Sequence, residues 1–400
     1  MLSVKQEGLK LALKFNADKN SNLDPSFVNF VRNLLISEVK CHSLTKNLTI
    51  HSNTSVFNNE YIKNIIQLFP IQADALPKGT SEDEMDNIFF YISDPDDSKK
   101  PLYNSNDEEL LLTAHMFTLY DRTGNRLKNL QAQDLIKYNF PFLKLQKGQS
   151  FHFQGQIGTG YGYMHTTYKS CIPSYKFENQ VSQNPKTSKN PKSPITQEPV
   201  ETIKDKRDIP RLTNSDQPKT IVLKIEENGH YNQKQTFQLA LTAFEEKLRL
   251  IKNLIYQKDA TRLAIKYDPN IDDLVTVELQ DPSDQTTRPK TSEPYSPSQE
   301  LPPDRLASQS LGHLLETHCK FHLQNLIKNR PKNEIEEIIQ KSLTSYKYPH
   351  PLDKVLLIQL KIPKEVYKNK KLDLTPSLTL LDETIDNLIN TVRKVRENVK

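Results

Sequence analysis

The sequence predicts an α+β fold in which two αβ units pack against each other as an intramolecular pseudo-dimer, with a β-rich insertion that splits the first unit. Three patterns favour this architecture. A helix near the N-terminus carries more apolar surface than one small sheet face would cover. The order strand, helix, strand and long helix occurs twice along the chain. A strand-rich stretch interrupts the first copy, and repetition within one chain is typical of internally paired units.

Changes in composition set the predicted domain boundaries. The first unit is expected to comprise residues 1–50 and 218–258, and the second unit residues 261–400. Residues 51–179 are expected to form the β-rich insertion. A chain of 400 residues is long enough for two or three domains of ordinary size, which is consistent with this division.

Two proline-rich segments interrupt these units. Residues 180–217 are polar and cannot bury enough apolar surface to offset the loss of chain entropy, so we predict a disordered linker. Their serine, threonine and lysine content leaves two uses open, a plain linker and a phosphorylated tail. Residues 282–303 have a similar composition and are predicted to form a flexible loop in the second unit.

Bulk composition argues against several classes of protein. The 54 basic and 49 acidic side chains leave a formal net charge of +5, which is too small to indicate nucleic-acid binding by itself. The three cysteines, Cys41, Cys171 and Cys319, are too far apart in sequence for a paired-cysteine zinc site or a disulfide framework. No apolar run approaches the ~18 residues of a membrane span, and charges interrupt the N-terminal segment. We therefore expect an intracellular, cytoplasmic protein with reduced cysteines.

The N-terminal helix is the element around which the chain is organised. Asp24 is a suitable N-cap because its carboxylate can accept a bond from a free backbone amide, and Pro25 fits the first helical position. Apolar residues at helical spacing then form one face: Phe27, Phe30, Val31, Leu34 and Leu35. Val28 and Ile36 widen the apolar surface, so a second partner for this helix is expected.

The remainder of the first half is predicted to form mainly strands. Residues 9–15 alternate between apolar and lysine or alanine positions, and residues 44–50 alternate in the same way. A helix is expected to begin at Asn58 or Asn59, with Tyr61, Ile62, Ile65, Ile66 and Phe69 along one side. Within the insertion, strands are predicted at residues 88–92, 110–120 and 149–157.

The second half alternates between strands and helices. A strand at residues 221–225 precedes a helix from Gln233 to Gln257, whose apolar stripe includes Phe244 and Leu248. The later elements are predicted in chain order as strands at 263–267 and 274–279, a helix from Ser310, a short helix at 334–343, a strand at 354–362 and a helix at 375–399.

Candidate sites for chemistry are few. Gly155, Gly158, Gly160 and Gly162 allow two interpretations, a loop that cradles phosphate and a tight structural or partner-contacting loop. No Lys-Ser or Lys-Thr pair follows them, which favours the second. The histidines at 313, 318 and 322 lie close in sequence, but a metal site would need a third ligand that converges with them. No acid pair or nucleophile–base set stands out, so no cofactor and no metal are expected.

The stretch from Ser26 to Ile71 resembles the signature region of the alpha-type assembly subunit of multisubunit RNA polymerases. In that family a helix bearing an arginine precedes an isoleucine–alanine–glutamate turn, and an asparagine–threonine–serine run leads into a second helix. The matching positions here are Arg32, 36–38, 53–55, 60–62 and 68–71.

A second motif is similar to the family's segment that reads lysine–glycine–glutamine and later glycine–x–glycine–x–x–histidine. Residues 147–149 agree with its beginning, Gly158 and Gly160 fit the loop, His165 takes the histidine position and Tyr168 stands where the family has tryptophan. The resemblance implies that this loop contacts the second-largest polymerase subunit.

The third match covers the second unit, which resembles the smaller partner of that subunit, the eleventh subunit of eukaryotic RNA polymerase II. Residues 310–314, including Leu311 and Gly312, fill the place of a histidine–threonine–leucine–glycine motif, and residues 346–351 that of a tyrosine–lysine–valine–x–histidine–proline motif. The chain thus resembles the third and eleventh subunits joined in one polypeptide, as in large cytoplasmic DNA viruses. Both units would then be alpha-subunit-like dimerisation units.

This resemblance implies a non-catalytic assembly subunit of a DNA-directed RNA polymerase. Its expected partners are the largest and second-largest subunits and a small zinc-bearing subunit, with DNA contacted only through the complex, no membrane and no homodimer. A viral chain would be found in the host cytoplasm and the virion. The implied subunit-interface residues are Phe27, Phe30, Val31, Arg32, Leu34, Leu35, Glu60, Gly158, Gly160, His165, Tyr168, Phe244, Leu248, Leu311, Gly312, Leu314, Leu315 and Leu388.

Two other functions remain open on the sequence. One is an interaction adaptor unrelated to polymerase, which the same apolar helices would serve. The other is a nucleotide-binding transferase that uses the glycines between residues 155 and 162.

Overall fold

The computed structural model of the chain is a mixed α and β structure with several antiparallel sheets. The structure describes residues 2–16, 23–75, 85–95, 97–178, 220–257, 262–268, 271, 273–281, 305–349, 354–367 and 372–399. The predicted linker at 180–217 and the predicted loop at 282–303 lie outside the described residues.

The first sheet contains four antiparallel strands in the order β1-β2-β12-β11. Their bounds are β1 (Leu2–Glu7), β2 (Lys10–Asn16), β11 (Cys171–Glu178) and β12 (Thr220–Glu227). Gly8, at φ +57°, adopts the left-handed conformation in the tight turn that joins the first two strands. The alternation in β2 buries Leu11, Leu13 and Phe15, as the sequence predicts. The sequence does not predict β1.

Two helices, α1 (Pro25–Ser37) and α4 (Gln233–Gln257), cover one face of this sheet. α4 has the predicted range, and α1 begins at Pro25 as the sequence predicts. Asp24 caps α1 as expected, because its Oδ1 accepts a 3.0 Å hydrogen bond from the amide of Phe27.

A six-stranded antiparallel sheet lies between α1 and β11 in the sequence. Its path is β4-β3-β10-β5-β8, with β6 paired to β10. The bounds are β3 (Lys40–Asn53), β4 (Pro70–Ile71), β5 (Phe89–Ile92), β6 (Leu102–Tyr103), β8 (Thr118–Tyr120) and β10 (Ser150–Tyr161). A two-stranded ribbon of β7 (Leu110–Thr113) and β9 (Pro141–Leu145) and two helices, α2 (Asn59–Gln67) and α3 (Ala132–Leu135), complete this insertion.

Both predicted boundaries of the insertion require correction. The sequence predicts that residues 1–50 belong to the first unit, but β3 pairs along most of its length with β10 of the insertion. The predicted insertion extends to residue 179, whereas β11 pairs with β12 of the first sheet. Strand membership depends on partners distant in sequence, so a change of composition does not locate these boundaries. The predicted strand at 110–120 is likewise two strands, separated by a 3-10 turn at Ala114–Met116.

The second unit repeats the plan of the first. Its sheet has the order β13-β14-β16-β15. The elements are β13 (Leu263–Tyr267), β14 (Leu274–Gln280), α5 (Gln309–Ile327), α6 (Lys332–Lys341), β15 (Leu343–Lys347), β16 (Val355–Lys361) and α7 (Pro376–Glu397). In both units two strands, a helix, two more strands and a long helix follow in the same order. The sequence does not predict β15, and it predicts that α6 ends at residue 343, whereas the helix ends at Lys341.

The helices of the two units meet face to face. α1 contacts α4 and α5, and α7 also contacts both α4 and α5. One continuous cluster of buried apolar residues therefore runs through both units, while a separate cluster fills the insertion. The second partner that the sequence predicts for α1 is therefore α5 of the second unit.

Candidate subunit-interface site

Most of the predicted interface residues lie inside the chain. Eleven of them are at most 1% exposed: Phe27, Phe30, Val31, Leu34, Leu35, Phe244, Leu248, Leu311, Leu314, Leu315 and Leu388. The ring of Phe244 on α4 packs against two rings of α1, with centroid distances of 5.4 Å to Phe27 and 4.7 Å to Phe30. These residues form the core where the helices meet, and a separate protein cannot reach them in this conformation.

Two ion pairs of opposite polarity join α4 to α7. Glu245 of α4 accepts a 2.9 Å hydrogen bond from Arg393 of α7, and Lys252 of α4 lies 2.6 Å from Asp386 of α7. Each helix thus presents one acid and one base seven residues apart, and the two helices run antiparallel. Burial favours the neutral form of Lys252, but its bonds to Asp386 and Asp382 outweigh burial and raise its pKa.

A buried acid–histidine pair joins α1 to α5. Nε2 of His318 lies 3.1 Å from Oδ1 of Asp24, and both side chains are nearly inaccessible. Burial alone would raise the pKa of Asp24, but the bonds from His318, Ser26 and the Phe27 amide outweigh burial and lower it. The carboxylate that caps α1 therefore also binds the opposite unit.

Further buried charges surround the end of α1. Lys247 of α4, whose side chain is 2% exposed, lies 2.6 Å from Glu38 and donates to the carbonyl of Arg305 in the second unit. Burial raises the pKa of Glu38, although Lys247 partly offsets this. The Arg305 guanidinium lies 5.6 Å from the ring centroid of Tyr163, a residue that follows β10. Side chains of both units and of the insertion therefore meet at this point.

The glycine-rich segment is a strand. Gly155, Gly158 and Gly160 belong to β10, so the predicted loop is wrong at these three positions, and only Gly162 lies in the turn that follows the strand. A Cβ at Gly160 would lie 2.5 Å from the ring of Tyr168, and one at Gly158 would lie 2.0 Å from Oγ1 of Thr45. The glycines leave space for a buried tyrosine, whose hydroxyl is 2.6 Å from that of Thr45.

Two of the predicted interface glycines and Tyr168 therefore have internal roles. Tyr168 is 2% exposed and packs within the protein. Gly312 plays a similar part in the second unit, because a Cβ there would lie 2.6 Å from the ring of Tyr346 and 2.7 Å from Leu356. This glycine allows α5 to approach its sheet closely.

Three predicted residues remain accessible to a partner. Arg32 is half-buried and donates to the side chains of Asn29 and Asn33, which hold the guanidinium along α1. Glu60 on α2 is exposed and lies 3.5 Å from Lys63. His165 is exposed beyond β10, and its Nδ1 accepts a 3.3 Å hydrogen bond from the Thr167 amide.

Exposed apolar side chains on α2 and on the residues that flank it are the feature that the sequence prediction missed. Val56 is 85% exposed, Leu68 55%, Tyr61 48% and Phe57 46%. The rings of Phe57 and Tyr61 stack at 5.0 Å. We call these four residues the α2 surface. Clustered exposed apolar side chains are typical of interaction sites. The sequence prediction puts Tyr61 on the buried side, but it is exposed. Of the other four residues predicted there, Ile62, Ile66 and Phe69 are buried and Ile65 packs against the same core. The spacing of residues 57, 61 and 68 is the signal that could have revealed a second stripe.

The histidines of α5 do not form a metal site. His318 binds Asp24, His322 lies 3.0 Å from Glu383, and His313 is exposed beside Tyr346. Within the part of the chain that the structure describes, no group of three or more His, Cys, Asp or Glu side chains could hold a metal ion. Burial raises the pKa of Cys171 and of Cys319 to about 12, which favours the protonated thiol at neutral pH. None of the described helices is long and apolar enough to cross a membrane.

Comparison with known proteins finds a distant relative of this chain. No protein-family model matches the chain. A protein of Tetrahymena thermophila described as "Conjugation stage-specific protein" is 24% identical over 200 residues, which cover 44% of this chain and 61% of the relative. The chain thus spans about three fifths of the length of that relative.

Proposed function

We propose that this chain is a non-catalytic assembly subunit of a DNA-directed RNA polymerase, built as an intramolecular pseudo-dimer of two alpha-subunit-like units. One observation carries the proposal. Two units with the same order of elements and the same sheet order meet through two helices each. The order of the three sequence motifs described above, which resemble the third and eleventh polymerase subunits, supports the same assignment.

The reciprocal ion pairs favour the pseudo-dimer. A two-fold axis between α4 and α7 would relate Glu245 to Asp386 and Lys252 to Arg393, since each acid lies seven residues before its base. Isologous contacts of this kind are typical of two-fold dimers. Joining the units in one chain replaces association of two subunits by an intramolecular contact at high effective concentration. Because the pairing faces are used within the chain, we expect no homodimer.

The partners would dock on surfaces outside the helix contact. The α2 surface with Glu60, the half-buried Arg32 and the exposed His165 are the positions proposed to receive the two large subunits and a small zinc-bearing subunit. The α2 surface fits such a role because docking would remove its apolar area from water, which contributes about 25 cal/mol for each Å² buried. DNA would be contacted only through the complex. The proposed location is the cytoplasm and, if the chain is viral, also the virion.

No catalytic role is proposed for this chain itself, and nucleotide addition would belong to the large subunits. The transferase alternative loses support, because three of the four glycines on which it depended lie in the strand β10, and two of them pack against Tyr168 and Thr45. An interaction adaptor unrelated to polymerase remains the second candidate, since the α2 surface would suit that role equally well.

Affinity purification of the tagged full-length chain from its native cells separates these two functions. We expect the two largest polymerase subunits to be recovered with it, and Tyr61→Asp to reduce their recovery at least tenfold. Tyr267→Asp is the matched control, because Tyr267 is similarly exposed but lies on β13 of the second unit. Recovery of other proteins without the large subunits would instead support the adaptor.

A further inference from the structure

Two histidine rings lie side by side on neighbouring strands of the insertion. His51 belongs to β3 and His152 to β10, and their ring centroids are 4.8 Å apart with an interplanar angle of 40°. The pairing shifts here, because His152 is opposite Ser52 while Phe153 is opposite Ile50. His51 is therefore the extra residue of a β-bulge, a feature that commonly redirects a side chain.

Hydrogen bonds determine which nitrogen of each ring carries the proton. Nε2 of His152 lies 3.0 Å from the carbonyl oxygen of Ser98, and Nε2 of His51 lies 3.3 Å from Oε1 of Gln154. Both oxygens can only accept, so each neutral ring carries its proton on Nε2 and a lone pair on Nδ1. A metal-binding histidine typically donates its second ring nitrogen to a carbonyl or carboxylate in this way.

The separation of the rings suits binding to one ion. A metal about 2.1 Å from each ring nitrogen lies about 3.2 Å from each ring centroid. Ligand angles between 90° and tetrahedral would then place the two centroids roughly 4.5–5.2 Å apart. The observed 4.8 Å falls within this interval.

We propose that His51 and His152 bind a divalent transition-metal ion such as Zn²⁺, Ni²⁺ or Cu²⁺ through their Nδ1 atoms, with water in the remaining positions. Imidazole is a ligand for these ions, whereas Mg²⁺ and Ca²⁺ prefer oxygen ligands. The ion would join β3 to β10 near the ends of these strands. The site is independent of the proposed polymerase function, and it needs no third protein ligand.

The state of His152 suits this role. Burial lowers its pKa, and the neighbouring His51 lowers it further, so the ring is neutral near pH 7 and can act as a ligand. Metal and proton compete for the same nitrogen, so the affinity must fall as the pH decreases through the histidine range.

Titration of the full-length chain, after removal of any histidine tag, with ZnCl₂ and with NiCl₂ in a calorimeter tests the proposal. We expect one equivalent bound at pH 7.5 with a dissociation constant in the micromolar range, and at least tenfold weaker binding at pH 5.5. His51→Gln should weaken binding at least tenfold. His313→Gln, which changes another exposed histidine far along the chain in α5, should leave the affinity unchanged.

His51 is exposed, so its replacement does not depend on the core and the variant is expected to fold. His152→Gln provides a second variant with the same expected loss, and ¹⁵N resonances of both Nδ1 atoms should shift on metal addition. Absence of a saturable equivalent, or unchanged affinity in His51→Gln, would overturn the proposal.

Discussion

The two αβ units share one plan and differ in what lies between their first helix and their third strand. In the first unit the whole insertion, from β3 to the end of β10, occupies this position; in the second unit the short helix α6 does. The shared parts contribute to one continuous core, whereas the insertion has a core of its own. The contact between the units and the exposed α2 surface thus lie in different parts of the chain, because the insertion carries the α2 surface.

The helix contact and the α2 surface differ in their exposure to solvent. The apolar residues of the helix contact are almost fully buried, and partly exposed charges form ion pairs between the two units. The α2 surface has exposed aromatic rings instead. Substitutions in the helix contact should therefore lower the free energy of unfolding. Substitutions on the α2 surface should instead lower the recovery of partner proteins.

The largest effect is expected from Phe244→Ala. Phe244 is fully buried and contacts Phe27 and Phe30, so its removal leaves a cavity in the shared core. We expect the free energy of unfolding, measured with denaturant, to fall by about 3–5 kcal/mol. Phe177→Ala on the half-exposed edge strand β11 is the control and should cost no more than about 1 kcal/mol. A Phe244 variant that loses structure in the first unit alone would contradict the shared core.

A smaller, pH-dependent effect is expected from Asp24→Asn. Asparagine can still cap α1, so the substitution mainly removes the charge that faces His318. The loss should be about 1.5–3 kcal/mol at pH 7, measured by denaturant unfolding.

The sign of the pH dependence follows from the pKa of Asp24, which is lower in the folded protein than in the unfolded chain. Its contribution is complete above the unfolded value of about 4 and is lost as the pH falls through the lower folded value. The gap in stability between the native protein and Asp24→Asn should therefore narrow below about pH 4. A gap that is constant from pH 7 to pH 3 would show that the pair does not act through charge.

The smallest effect is expected at the reciprocal ion pairs, which are partly exposed. A double-mutant cycle with Lys252→Ala and Asp386→Ala should give a coupling energy of about 0.5–1 kcal/mol, decreasing with added salt. The exposed pair Glu337–Lys341 within α6 is the control and should give a weaker coupling. A coupling between Lys252 and Asp386 no larger than that of the control would mean that these charges do not stabilise the pairing of the units.

Long elements with a strong local pattern were predictable from the sequence. The cap at Asp24, the range of α4 and the alternation in β2 depend on residues only a few positions apart, and all three predictions agree with the structure. The strands β11 and β15 were not predictable. β11 contains Pro173 and β15 has one buried residue, Thr344, so each lacks the apolar alternation of a central strand. Both lie at sheet edges, where a neighbour distant in sequence decides that a strand forms.

The sequence by itself determined where helices begin and which residues are apolar, because capping and periodicity act over a few residues. It also pointed to α1 as a helix with two partners. Only the tertiary structure decided which apolar face is buried: Ile62 is covered while Tyr61, its neighbour on α2, remains exposed. It likewise placed β3 in the insertion and set the glycines of β10 against Tyr168. The physical reason is that burial and strand pairing depend on the approach of segments far apart in sequence, which no local pattern specifies.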